Sequence, residues 1–322
     1  MPATLSVLMF TIPHTEVRGN SRPPAWALVA GMTVVVAVAG LVYGFVRPGG
    51  GGSSAPWKPV WAADFGGPAG GGIDSGAWKF DTGYGVFGTQ EVETMTSSAR
   101  NVHVDGHGDL SIVVLGHGAS SGEVWTSGRI QTRRLFAPPA GGAMMVTGVI
   151  RQPDPSAGAG YWPAFWMLGP GPWPSSGEID ILEDVNGLST HSGTLHCGNL
   201  TAGNGDGTFG PCREKNGLGS GRLPCPGCQT GFHSYSVVID RRDTSDEQIR
   251  WYLDGRQFFS VSESSVGAPA WHSAVDHGFS ILLNVAVGGA YPDITCGCAS
   301  PSDRTSSGGT MTVRSLAVYV ST

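Results

Sequence analysis

From residue 57 onward the chain reads as short apolar or alternating runs broken by turn residues, at 101–104, 109–114, 143–150, 234–239, 249–253, 279–287 and 311–320. Their spacing and β-branched content predict strands of an antiparallel sandwich. No amphipathic pattern longer than two helical turns and no internal repeat interrupts them. A different pattern precedes them. Residues 25–46 form an apolar run without a charged residue, and at helical rise it would span about 33 Å against a bilayer core of about 30 Å. Arg18 and Arg22 lie before it and Arg47 after it, a bias that places the N-terminus inside and the bulk of the chain outside. Ala37-Val38-Ala39 offers a small-x-small cleavage pattern. Residues 41–46 stay apolar beyond it, which favours an uncleaved anchor; cleavage would instead make the protein secreted. Residues 47–56 are a Gly/Ser/Pro tether that cannot bury a core. The expected organisation is a cytoplasmic tail (1–24), a transmembrane signal-anchor helix (25–46), the linker (47–56) and one domain (57–322).

Composition narrows the class. Only 14% of residues are charged, while there are 51 Gly and 22 Pro, which excludes coiled coils and helical bundles and suits an all-β chain rich in tight turns. The net charge of -6 leaves no basic surface for phosphate backbones, so nucleic acid is not an expected partner. A neutral polymer such as a polysaccharide needs no such attraction. Six cysteines, Cys197, Cys212, Cys225, Cys228, Cys296 and Cys298, admit two readings. As disulfides they would pin long loops in an extracellular compartment; as a zinc site, Cys225 and Cys228 have ligand-like spacing. The C-x-C spacing of Cys296 and Cys298 fits zinc poorly, and disulfides are the favoured reading, with about fifteen pairings open. Asn199-Leu200-Thr201 is a glycosylation sequon.

The most informative segment is Gly177-Glu178-Ile179-Asp180-Ile181-Leu182-Glu183. In a strand Glu178 and Asp180 share a face while Ile179 and Ile181 turn into a core. Strict alternation would send Glu183 to the other side; a one-residue β-bulge around Ile181-Leu182 brings it back. Three carboxylates on one face repel one another and raise at least one pKa, which costs stability and suits acid–base chemistry. With the bulge, Glu178 and Glu183 are about 13 Å apart at Cα, and their side chains can approach to about 5 Å. That is the spacing of a retaining glycosidase rather than the 6.5–9.5 Å or so of an inverting one. An acidic edge or a carboxylate calcium site is the competing reading. Trp162, Trp166 and Trp173 just before the acids shift the balance, because indole faces stack on pyranose rings. Trp166, inside the apolar run 164–168, is expected in the core.

Tyr161-Trp162-Pro163-Ala164-Phe165-Trp166-Met167-Leu168-Gly169, followed by the acidic strand, closely resembles glycoside hydrolase family 16. Within it the match is nearest the laminarinase-like endo-1,3-beta-glucanase branch, whose acidic strand carries the extra bulge residue. The similarity extends over 61–320, with weaker echoes at 127–130, 251–255 and 283–289. It implies a concanavalin-like β-jelly-roll of two curved antiparallel sheets with substrate across the concave face. Matched residue by residue, Glu178 would be the nucleophile, Glu183 the general acid/base, and Asp180 a hydrogen-bonding partner of the nucleophile. Trp162, Trp173, His196 and Arg129 would bind sugar. His196 reads equally as a hydrogen-bonded structural histidine, and Arg129 as a surface ion-pair partner. The implied activity is retaining hydrolysis of β-1,3 or mixed β-1,3/1,4 glucan by a monomer without a cofactor, anchored at the membrane with its catalytic domain outside. A transglycosylase would use the same acids; a non-catalytic glucan-binding protein would gain nothing from crowded carboxylates.

Some positions depart from the family pattern. Thr89 stands where many members carry a substrate-contacting Asn, and the opening 61–65 is one acid short. Arg314 and Ser315 stand where members often carry an acid that helps form a structural calcium site, which weakens the case for calcium here. The cysteine-bearing insertion 197–228 is longer than usual and is expected at one end of the cleft.

Overall fold

The computed structural model describes residues 56–322 apart from 86, 117–124, 155 and 157. The tail, anchor helix and all but the last residue of the tether lie outside the described residues. Among the described residues no helix is long and apolar enough to cross a membrane. The first strands are β1 (Lys58–Ala62), β2 (Trp78–Phe80), β3 (Gly83–Tyr84), β4 (Thr94–Met95), β5 (Val102–Val104) and β6 (Leu110–Val113). There follow β7 (Thr126–Ser127), β8 (Arg129–Thr132), β9 (Ala143–Arg151), β10 (Tyr161–Leu168), β11 (Glu178–Glu183), β12 (Thr190–His196), β13 (Leu218–Gly219) and β14 (Leu223–Pro224). The last are β15 (His233–Asp240), β16 (Gln248–Leu253), β17 (Arg256–Ser262), β18 (Ser280–Val287) and β19 (Thr310–Ser321). Three short helices, α1 (Glu263–Val266), α2 (Ala268–Val275) and α3 (Ala290–Cys296), sit between the late strands. Every strand expected from the sequence is present.

Two eight-stranded sheets carry the fold. One runs β17-β16-β15-β9-β19-β6-β5, with β1 against β19; the other runs β13-β12-β11-β10-β18-β8-β2, with β14 against β12. Neighbours in both are antiparallel, as in a jelly-roll sandwich. Alternation assigns each strand's two faces. Phe165, Met167, Ile179, Leu195, Val285 and Val287 from the second sheet meet Val146, Ile150, Val237, Ile239, Val313 and Val318 from the first in one buried core. The intervening residues of β10, β11 and β12 face away from that core.

The register breaks where the acids are. Asp180 pairs with Trp166 and Leu182 with Phe165, so β10 offers Ile181 no partner. Against β12, Asp180 pairs with Thr194 and Glu183 with Ser192. Ile181 and Leu182 are both fully buried in the core, two consecutive inward side chains, as a bulge requires. Trp251 of β16 reaches across from the opposite sheet, and its indole N–H donates to the Asp180 carbonyl at 2.7 Å. Gly193, on β12 opposite the bulge, leaves room for that ring: a Cβ there would lie 2.4 Å from Trp251 Cδ1. Since the hydrogen bond pins the indole, Gly193→Ala should destabilise the fold by about 1–3 kcal/mol through overpacking. A lowered urea midpoint is the expected result; an unchanged midpoint would show that Trp251 moves aside freely.

Candidate active site

The core-averse face of the second sheet collects the acids and most of the sequence-predicted sugar contacts. Pairing places Ala164 beside Glu183, Trp166 beside Asp180 and Leu168 beside Glu178. On the other flank Glu178 pairs with His196, and across β18 Asn284 pairs with both Ala164 and Arg129. Trp162 donates its indole N–H to Glu183 Oε1 at 2.8 Å and meets Tyr291 edge-on at 5.4 Å. Trp173 is 40% exposed and lies 5.6 Å from the His196 ring. One end of the acid row therefore faces Trp162 and the other Trp173.

Trp166 is not a residue of the main core. It is in phase with Trp162 and Ala164 along β10, and it packs with Ala164, Leu282 and Leu168 in a separate cluster on the acid side. Its N–H donates to Asn284 Oδ1 at 2.8 Å, and the Arg129 guanidinium lies 4.8 Å over its ring. Trp166 is buried, as apolar composition suggested, but strand parity puts it on the acid side rather than between the sheets. The Arg129 guanidinium also lies 4.2 Å over the Phe87 ring and pairs with Asp81 at 3.3 Å. It is thus an ion-pair partner, as the alternative reading held, but mostly buried and on the acid-bearing face.

Electrostatics bind the acids into one unit. Burial pushes the Glu178 carboxyl up to about 7; the His196 and Arg129 charges pull it down and Glu183 pushes it up. Asp180 is raised well above the usual carboxylate range by burial first, then by Glu183 and Glu178. Glu183 is raised by burial and held back by the Trp162 hydrogen bond and His196. Carboxyls coupled in this way titrate as a set. His196 loses some charge stability through burial, but its Glu214 hydrogen bond and the surrounding carboxylates outweigh that, and its pKa is raised.

The six cysteines form three disulfides, Cys197–Cys212, Cys225–Cys228 and Cys296–Cys298. Cys225 and Cys228 thereby offer no thiolates to a metal beside His233. Glu178, Asp180 and His196 converge within 4.8 Å, but two of them are the paired acids of β11. Around Glu247, His272 and Asp276, Arg241 already occupies both carboxylates. The insertion returns to the sheet through β13 and β14, both paired to β12, and so borders the His196 side of the site.

Sequence reasoning missed Trp251, Glu214, Asn284 and Glu93. Glu93 is buried within reach of the Arg129 charge; one carboxyl oxygen accepts the Val287 N–H at 2.8 Å and the other has no hydrogen-bond partner. Burial pushes its carboxyl up from 4.5 to about 8, against that N–H. Over this range the unfolded chain ionises while the fold keeps the proton, so stability falls as pH rises from about 4.5 to about 8. Glu93→Gln retains an acceptor for Val287 and removes the titration. Its melting temperature relative to wild type should rise between about pH 5 and pH 8; an equal difference at both would show that Glu93 does not titrate there.

Bulged acids flanked by indoles, on the outer face of a β-sandwich, form the constellation of a glycoside hydrolase. Residues 109–209 match the family description "XgeA-like, catalytic GH16 domain". A β-glucanase of Rhodothermus marinus is 32% identical over 248 residues, covering 73% of this chain and 77% of that protein. Glucan endo-1,3-beta-glucosidase A1 of Niallia circulans is 30% identical over 72% of this chain, which spans only 34% of that longer protein. Among solved structures, the endo-1,3-beta-glucanase of Streptomyces sioyaensis is 40% identical with a TM-score of 0.73, covering 84% of this chain and 99% of that one. The chain belongs to glycoside hydrolase family 16.

Proposed function

We propose that the protein is a retaining endo-glycosidase that hydrolyses β-1,3-linked or mixed β-1,3/1,4 glucan. The observation that carries this reading is the bulge at Ile181-Leu182, which lines up Glu178, Asp180 and Glu183 on one open face. The relatives named as β-1,3-glucanases support the polymer class.

In the first step Glu178 attacks the anomeric carbon while Glu183 gives its proton to the departing glycosidic oxygen, leaving a covalent glycosyl-enzyme. In the second, Glu183 takes a proton from water, whose oxygen attacks the same carbon and releases Glu178. Asp180, buried between them, feels the charge of both, and its raised pKa suits a protonated carboxyl that would donate a hydrogen bond to the nucleophile. The indole N–H of Trp162 accommodates negative charge on Glu183 when its proton has left. Trp173 offers an exposed face for a pyranose ring, and Arg129 and His196 supply cations and donors on either flank of the acids. Three disulfides suit an oxidising compartment, which supports a catalytic domain working outside the cytoplasm.

The test is incubation of the protein with laminarin, lichenan, agarose and xyloglucan beside Glu178→Gln and Glu183→Gln. Each variant should lose glucan hydrolysis by about 100-fold or more, and the first product from wild type should keep the anomeric configuration of the substrate. An inverted first product would overturn the retaining assignment, and a variant of near wild-type rate would remove that residue from the chemistry.

A further inference from the structure

One buried carboxyl near the site has no part in the steps above. Glu214 lies in the insertion, is fully buried, and spends both oxygens on the end of β12: Oε1 accepts the N–H of Cys197, the residue just after the strand, at 2.8 Å, and Oε2 is 2.8 Å from Nδ1 of its last residue, His196. The far nitrogen of the same ring, Nε2, is 3.5 Å from Asp180 Oδ2 and 3.9 Å from Glu178 Oε1. We propose that Glu214 is a positioning residue for the reaction, anchoring the His196 imidazole from behind so that its Nε2 edge faces Glu178 and Asp180. The proposal rests on the roles given above to Glu178 and Glu183.

Three features fix this arrangement. The Cys197–Cys212 bridge joins the residue after His196 to a point two residues before Glu214. Phe209 and Glu214 exchange backbone hydrogen bonds, N–H to carbonyl, at 2.7 Å in both directions, closing the turn that presents the side chain. Gly217 presses its backbone onto the ring: a Cβ there would lie 2.9 Å from His196 Cε1. An imidazole whose Nδ1–H is held by an acceptor leaves Nε2 to gain and lose the proton. A cation there stabilises negative charge on Glu178, the state a nucleophile needs.

The charged groups around the ring are Glu178, Asp180 and Glu183 from β11 and Glu214 from the insertion, with Arg129 of β8 acting on Glu178 from the far flank. Glu214→Gln keeps the shape and can keep the Cys197 bond, but then turns an amide N–H toward Nδ1 and disfavours the imidazolium. With that charge weakened, Glu178 becomes harder to ionise. The acid limb of kcat/KM should therefore move up by about one pH unit, a loss of about tenfold below the limb, with KM little changed. In a His196→Gln background the same substitution should add no further shift, because its effect passes through the ring. A loss equal at every pH, or one that adds in full to that of His196→Gln, would overturn the proposal.

Heteronuclear NMR of the imidazole nitrogens in the intact wild-type protein tests the placement without any variant, and so decides it even if Glu214→Gln fails to fold. Hydrogen on Nδ1 throughout the titration, with exchange of charge at Nε2, is the expected result; a neutral ring with bare Nδ1 and protonated Nε2 would overturn it. A wild type that released no sugar would instead sink the hydrolase reading, and the NMR result would still say where His196 points.

Discussion

Three carboxylates can share one side of a six-residue strand with this spacing only if one residue drops out of the alternation. That geometric demand governs much of the molecule. It is met by turning Ile181 and Leu182 inward together, which disturbs the ladder to both neighbours. The kink is braced from the far sheet by the Trp251 indole on the Asp180 carbonyl. The brace in turn needs a strand opposite the bulge with no side chain in the way, which Gly193 provides. A two-sheet sandwich suits this chemistry because the first sheet can buttress from below what the second must expose above.

The second constraint is electrostatic. Gathering Glu178, Asp180 and Glu183 in a partly buried row favours protonation, through desolvation and through mutual repulsion. In the proposed mechanism a nucleophile that stayed protonated would be useless, and an acid ionised too readily would have nothing to donate. The flanks answer this unevenly. Arg129, in contact with the Phe87 and Trp166 rings, contributes a permanent charge from the β8 side, and His196 contributes a titratable one from the β12 side. Trp162 adds a neutral donor aimed at Glu183. Each of the two glutamates thus has its own compensating partner, as two roles for like residues require.

Much of the fold was legible because strands of a buried sandwich advertise themselves: β9, β15, β18 and β19 are runs of branched apolar residues with clear ends. The bulge was legible too, since the acids make sense on one face only if the count is broken between Asp180 and Glu183. The burial of Trp166 was legible from its apolar run, but its face was not, because hydrophobicity was read ahead of parity; Trp162, Ala164 and Trp166 alternate, and one of them facing the acids commits the rest. Trp251 was read only as part of a strand and a weak family echo, and Glu214 carried no local signal. Their importance comes from partners 71 and 18 residues away, and Glu214 sits in a glycine-rich loop whose path no periodicity predicts.

That loop also accounts for the placing of one disulfide. The insertion between Cys197 and Cys212 is long, polar and poor in apolar anchors, so burial alone would hold it weakly against β12. A cross-link beside His196 confines the loop at the point where its carboxyl must meet the ring, which limits the freedom to be lost in forming a buried charge-bearing hydrogen bond. The cost of burying Glu214 is offset by two donors from consecutive residues at the end of β12, the first of which, His196, borders the acid row. Bridge, loop and imidazole therefore form a single support, and the rigidity of the catalytic face extends past the sheet into its least regular segment.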